Sequence, residues 1–111
     1  MSSKEILEKM IGKYKEDQEV KKEIAGMNKT FQFSPSDGSP YFISISNGKI
    51  EIKDGLEPKP TTTITAKEET LTDLFNGKID PVMSYMTGKL KISGDLMSAT
   101  KITGLVKKLR E

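Results

Sequence analysis

The strongest constraint in this chain is a run in which apolar and polar residues alternate on either side of one dipeptide. Tyr41, Ile43 and Ile45 alternate with Phe42, Ser44 and Ser46. Asn47-Gly48 follows, and then Ile50 and Ile52 alternate with Lys49, Glu51 and Lys53. A period of two is the mark of a strand with one buried face. Asn-Gly between two such runs supplies the positive φ angles that a type I′ hairpin turn requires. A two-stranded hairpin is marginal in water by itself, so this one needs further strands and a cover.

Both are present on either side. Phe31 and Phe33 flank Gln32 in an earlier strand that Pro35-Ser36-Asp37-Gly38 ends as a turn. Asp54-Gly55 and the prolines Pro58 and Pro60 lead to a fourth strand at Thr61 to Thr65, centred on Ile64. Leu90 and Ile92, alternating with Lys89 and Lys91, predict a fifth.

Outside this region the period is helical. Ile6, Leu7, Met10, Ile11 and Tyr14 return to one face, as do Val20, Ile24 and Met27, so the first 27 residues are expected to form helix in two pieces. Thr65-Ala66-Lys67-Glu68 has the spacing of a capping box ahead of Leu71, Leu74 and Phe75, and Asn76-Gly77 is a helix stop. Asp80-Pro81 places an N-cap before a proline at the first helical position. A short helix with Val82, Met83, Tyr85 and Met86 then runs to Gly88. Gly94-Asp95 opens a last helix with Leu96, Met97, Ile102, Leu105, Val106 and Leu109 as its apolar positions. Helices, four strands, two helices, a strand and a long helix make an α+β fold. At 111 residues the expectation is one domain spanning 1–111.

Composition narrows the function. Cysteine and histidine are both absent, which excludes thiol chemistry, a Cys-based zinc site and the commonest general base. The charge balance of 18 basic and 16 acidic residues leaves +2, too small to argue for nucleic acid. Carboxylate pairs such as Glu68-Glu69 fall in caps and turns, so the chain is not expected to be an enzyme. No cofactor and no metal is called for. The N-terminus lacks the apolar segment of a secretory signal, no apolar run is long enough to span a bilayer, and Leu109-Arg110-Glu111 is not a peroxisomal tripeptide. The expected compartment is the cytoplasm.

Three stretches together resemble a known family: Thr63-Ile64-Thr65, then Asn76-Gly77-Lys78-Ile79-Asp80-Pro81, then Met86-Thr87-Gly88-Lys89-Leu90-Lys91-Ile92-Ser93-Gly94-Asp95. They look like the sterol carrier protein 2 family, and the likeness extends over Thr61 to Leu109. The resemblance implies a five-stranded mixed sheet covered on one face by helices, with an apolar tunnel between them that takes fatty acid, fatty acyl-CoA or a sterol-like lipid. The implied activity is binding and transfer of lipid without covalent chemistry. An accessory, protein-interaction role in a lipid-modifying system is the alternative.

The residues assigned to the apolar site are Leu71, Leu74, Phe75, Met83, Met86, Leu96, Met97, Ile102, Leu105 and Val106. Lys101, Lys107, Lys108 and Arg110 lie on the polar side of the last helix and read as a solvated face. The alternative is attraction to anionic lipid headgroups, a peripheral contact with an anionic membrane, or to the phosphates of acyl-CoA, worth about 1 kcal/mol per basic residue near a charged membrane. Gly104 departs from the helical pattern at a cost of about 1 kcal/mol relative to alanine. Monomer and homodimer both remain open.

Overall fold

The computed structural model describes residues 1–110. Two helices, α1 (Ser3–Ile11) and α2 (Gln18–Ile24), precede strands β1 (Lys29–Pro35), β2 (Tyr41–Ser46), β3 (Lys49–Asp54) and β4 (Thr62–Ala66). Helices α3 (Glu68–Phe75) and α4 (Pro81–Met86), strand β5 (Lys91–Gly94) and helix α5 (Leu96–Arg110) complete the chain.

The five strands form one mixed sheet in the order β3-β2-β1-β4-β5. The β1–β4 pair is parallel and the others are antiparallel. The hairpin forms at Asn47-Gly48, with φ of 52° and 74°. Pairing register aligns the apolar residues: Phe31 with Ile43, Phe33 with Tyr41 and Ile64, Ile45 with Ile50, and Ile64 with Ile92. Phe31, Phe33, Tyr41, Ile43, Ile45, Ile50 and Ile64 are thereby buried together on the face that packs in the core with the helices.

The opposite face is polar apart from the half-buried Phe42, and it carries one buried residue. Gln32 donates through Nε2 to the carbonyls of Tyr41 (3.0 Å) and Gly55 (3.1 Å), and its Oε1 accepts from the Glu57 amide at 2.7 Å. One amide side chain thus stitches the loop after β3 onto the sheet, satisfying groups that would otherwise be costly to bury.

The capping box is not where the sequence places it. At Thr65–Glu68 the N-cap is Lys67, which makes no side-chain cap. The parallel ladder with β1 runs on to Ala66, and the Ser36 amide donates to the Ala66 carbonyl at 2.9 Å, so Thr65 is held as a strand residue. The Asp37 carboxylate, from the β1–β2 turn, caps the Glu68 amide instead at 2.8 Å. The Glu68 side chain turns to α1, where it accepts from the Ser3 amide at 3.0 Å and from the Ser3 hydroxyl. A true capping box stands at Ser2–Glu5: the Glu5 amide donates to Ser2 Oγ at 3.2 Å, and the Ser2 amide donates to Glu5 Oε1 at 3.1 Å.

Helix α5 is pinned at its start and along its length. The Asp95 amide donates to the Thr61 carbonyl at 3.0 Å, and the Asp95 carboxylate caps Met97 N (3.1 Å) and accepts from Ser98 Oγ (2.6 Å). Lys29 reaches Ser98 Oγ from β1 at 2.7 Å. A Cβ on Gly94 would lie 2.6 Å from the Thr61 carbonyl oxygen, so only glycine lets the chain pass there. Further along, Lys108 pairs with Glu23 of α2 at 2.8 Å.

Candidate functional site

Glycine governs the local chain path at one end of the helical layer. Helix α3 stops at Asn76, and Gly77 takes φ of 75° to turn the chain away. The Arg110 guanidinium lies against Gly77, where a Cβ would come within 2.6 Å of Arg110 Cζ. Arg110 Nη1 donates to the Phe75 carbonyl at 3.0 Å, meeting an acceptor that the helix end leaves without an intrahelical partner. Asp80 then restarts the helix, its carboxylate accepting from the Met83 amide at 2.8 Å.

Between the α3 stop, the start of α4, α5 and the sheet lies a cleft of about 500 Å³, within the usual range for small-molecule sites. Phe33, Ile64, Leu74 and Phe75 form its floor, and Phe33 meets Phe75 edge to face with ring centroids 5.4 Å apart. Ile79, Pro81 and Val82 stand on one side, and Ile102, Gly104 and Val106 on the other. Nothing lies within 4 Å of where a Gly104 Cβ would be. The departure from helical pattern at Gly104 therefore sits in the cleft wall and keeps it low.

The hydroxyls that reach the cleft are already bonded to the backbone of α5. Thr100 Oγ1 donates to the Leu96 carbonyl at 3.3 Å, and Thr103 Oγ1 to the Thr100 carbonyl at 2.9 Å. Charge is confined to the rim, where Lys78, Lys107 and Arg110 face a single carboxylate, Asp80, already engaged as a cap. Lys78, Asp80, Thr100 and Lys107 are all exposed. The site is thus a cleft open to solvent along these residues. Its chemistry is apolar contact inside and cationic attraction at the edge.

The residues assigned from sequence divide three ways. Leu74, Phe75, Ile102 and Val106 line the cleft. Leu71 and Leu105 are sealed in the core and do not reach it. Met83, Met86, Leu96 and Met97 lie at the surface, between 49% and 74% exposed. The short α4 buries only Ser84, so its methionines project outward. In α5 the buried stripe is Ser98, Ala99, Ile102, Leu105, Val106 and Leu109, and 3.6-residue periodicity carries Leu96 and Met97 off it.

Sequence reasoning missed Phe33, Ile64, Ile79, Pro81, Val82 and Gly104 as cleft residues. The out-of-pattern glycine was the available signal for Gly104. The alternation of β1 and β4 pointed Phe33 and Ile64 inward but could not show which inward residues border the cleft. No helix of the described residues is long and apolar enough to cross a membrane.

Known proteins share this fold. Sterol carrier protein 2 of Gallus gallus is 32% identical over 107 residues, covering 92% of this chain and 18% of that protein. The solution structure of the sterol carrier protein domain 2 of Helicoverpa armigera superimposes with a TM-score of 0.74 at 25% identity, over 93% of this chain and 84% of that one. The solution structure of palmitated SCP2L2 from Aedes aegypti gives 0.71 at 18% identity, over 96% and 95%. The chain spans under a fifth of the length of the curated relatives it matches. The profile of the SCP-2 sterol transfer family matches residues 7–107, from α1 through most of the last helix that walls the cleft, and the chain belongs to that family.

Proposed function

We propose that this chain binds and transfers a single-chain amphiphilic lipid, a fatty acid or fatty acyl-CoA ahead of an uncharged sterol-like lipid, without covalent chemistry. The apolar tail lies against Phe33, Ile64, Phe75 and Ile102. The anionic head stays at the rim, near Lys78, Lys107 and Arg110. The observation that carries this reading is the pairing of an apolar cleft of about 500 Å³ with a cationic edge. Membership of a sterol transfer family supports it, as does the palmitated state named for the Aedes aegypti protein. Each buried methylene of the tail contributes about 0.8 kcal/mol. The proposed place of action is the cytoplasm, where the chain sequesters lipid between membrane encounters.

A melting series with fatty acids of increasing chain length tests this. At a hundredfold excess over Kd a ligand stabilises the native state by about 2.7 kcal/mol, so long-chain acids are expected to raise Tm and their methyl esters to raise it less. An unchanged Tm across the series overturns the reading.

A further inference from the structure

Charge and exposed apolar surface are unevenly distributed in this molecule. Up to Gly77 the chain has 11 basic and 13 acidic residues; from Lys78 onward it has seven basic and three acidic. Such asymmetry along a chain points to an anionic surface as partner. The exposed large apolar side chains concentrate in the same region. Six of the eight are Val82 (62%), Met83, Tyr85 and Met86 (73%) on α4, and Leu96 and Met97 (74%) in the first turn of α5. Helix α4 carries no charged residue. Its neighbours in sequence are lysines, Lys78 before it and Lys89 and Lys91 after it. The two carboxylates between 78 and 107, Asp80 and Asp95, are both engaged as helix caps.

Two of the four cations on the polar side of α5 are committed elsewhere: Lys108 pairs with Glu23, and Arg110 binds the Phe75 carbonyl. Among the described residues Lys101 and Lys107 have no ion-pair partner. The hydrogen bonds of α4 are local to residues 80–90: Met83 N and Ser84 Oγ to Asp80, Thr87 to Met83 and Ser84, and Lys89 N and Leu90 N to the Ser84 carbonyl. Helix α4 can therefore seat its apolar side in another phase without breaking the fold. Pro81 and Val82 also line the cleft, which places that apolar side beside the cleft mouth.

We propose that the exposed side of α4, with Met97 at the start of α5 and the surrounding lysines, is the surface by which this protein docks on an anionic bilayer. Exposure and charge fix the place; the purpose, loading and unloading the cleft at the membrane, rests on the lipid-carrier reading. Docking buries methionine and tyrosine at the headgroup boundary, while Lys78, Lys89, Lys101 and Lys107 meet anionic headgroups.

The test is co-sedimentation with vesicles of phosphatidylcholine alone and of phosphatidylcholine with 30% phosphatidylserine. It compares the wild-type chain with M83S/M86S/M97S, whose three positions do not line the cleft. The expected result is binding that needs phosphatidylserine, weakens with salt, and falls about tenfold or more in the triple variant through lost apolar burial. Fatty acid titration without vesicles is expected to be the same for both proteins. Equal vesicle binding by wild type and variant, or none at all, overturns the docking face. So does a wild-type dimer that the triple variant converts to monomer, since a second copy then covers the patch. Vesicle docking with no fatty acid binding in solution would instead overturn the cleft reading and leave the docking face standing.

Discussion

Arg110 donates through Nη1 to the Phe75 carbonyl at 3.0 Å, with its guanidinium against Gly77. This ties the end of α5, which walls the cleft, to the end of α3, whose Leu74 and Phe75 lie in its floor. The same cation stands at the cleft rim, so one side chain both anchors a wall of the site to its floor and charges its edge.

Arg110→Ala is therefore expected to cost about 1 kcal/mol through the lost hydrogen bond, lowering Tm by roughly 4–8 °C. It should weaken binding of a fatty acid more than of its methyl ester. Arg110→Lys keeps charge but not the planar donor set, and is expected to restore acid binding better than stability. Calorimetry and a binding titration on the three proteins separate the two roles.

Gly104 offers a cleaner separation of fold from site. Alanine there gains helix propensity of about 1 kcal/mol and meets no atom within 4 Å, so Gly104→Ala is expected to raise stability. Gly104→Phe directs a ring across the cleft and should reduce lipid affinity at least about tenfold, the loss of roughly two methylenes of burial, while the protein stays folded. Denaturant unfolding and ligand titration check both substitutions.

Ser3 is wholly buried and joins three elements: its hydroxyl bonds Tyr41 OH at 2.6 Å and donates to the Glu68 carboxylate. Ser3→Ala leaves buried polar groups without that partner and is expected to cost about 1–3 kcal/mol. Tyr41→Phe removes the phenol hydroxyl instead of orphaning it and should cost less. Urea unfolding of the two variants tests the order.

Burial pushes the Tyr41 hydroxyl well above the ordinary phenol value of 10.0, opposed by its Ser3 hydrogen bond and reinforced by the Glu68 charge. The folded state then keeps a proton that the unfolded state releases above about pH 10. The contribution of Tyr41 is accordingly complete below pH 10 and is lost as pH rises beyond it. Wild type should lose stability more steeply between pH 10 and 11.5 than Tyr41→Phe, as measured by chemical denaturation; parallel pH profiles would refute this.

Much of the fold was legible where one residue type is demanded by local geometry. Asn47-Gly48 and Asp80-Pro81 predicted a hairpin and a helix start, and both formed. Thr65–Glu68 misled because a capping-box pattern says nothing about a neighbouring strand: the β1 ladder claims Thr65, and Asp37 supplies the cap from 31 residues away. The site was legible only in part. Periodicity marks Leu71, Phe75, Leu105 and Val106 alike as inward, and all four are buried; which of them border the cleft follows from how α3, α4 and α5 are placed around it, and no local pattern carries that. Met83, Met86, Leu96 and Met97 were assigned to the site for being apolar, yet helix length and phase turn them outward, where apolar character answers to a different partner.

The central claim is that the cleft holds a lipid tail. Native mass spectrometry of the purified protein, followed by organic extraction, tests it most directly. The account predicts one lipid per chain, carried from the cell or acquired on incubation with a long-chain fatty acid, and a mass matching an acyl lipid in the extract. A bare protein mass that persists after incubation with fatty acid and fatty acyl-CoA would contradict it.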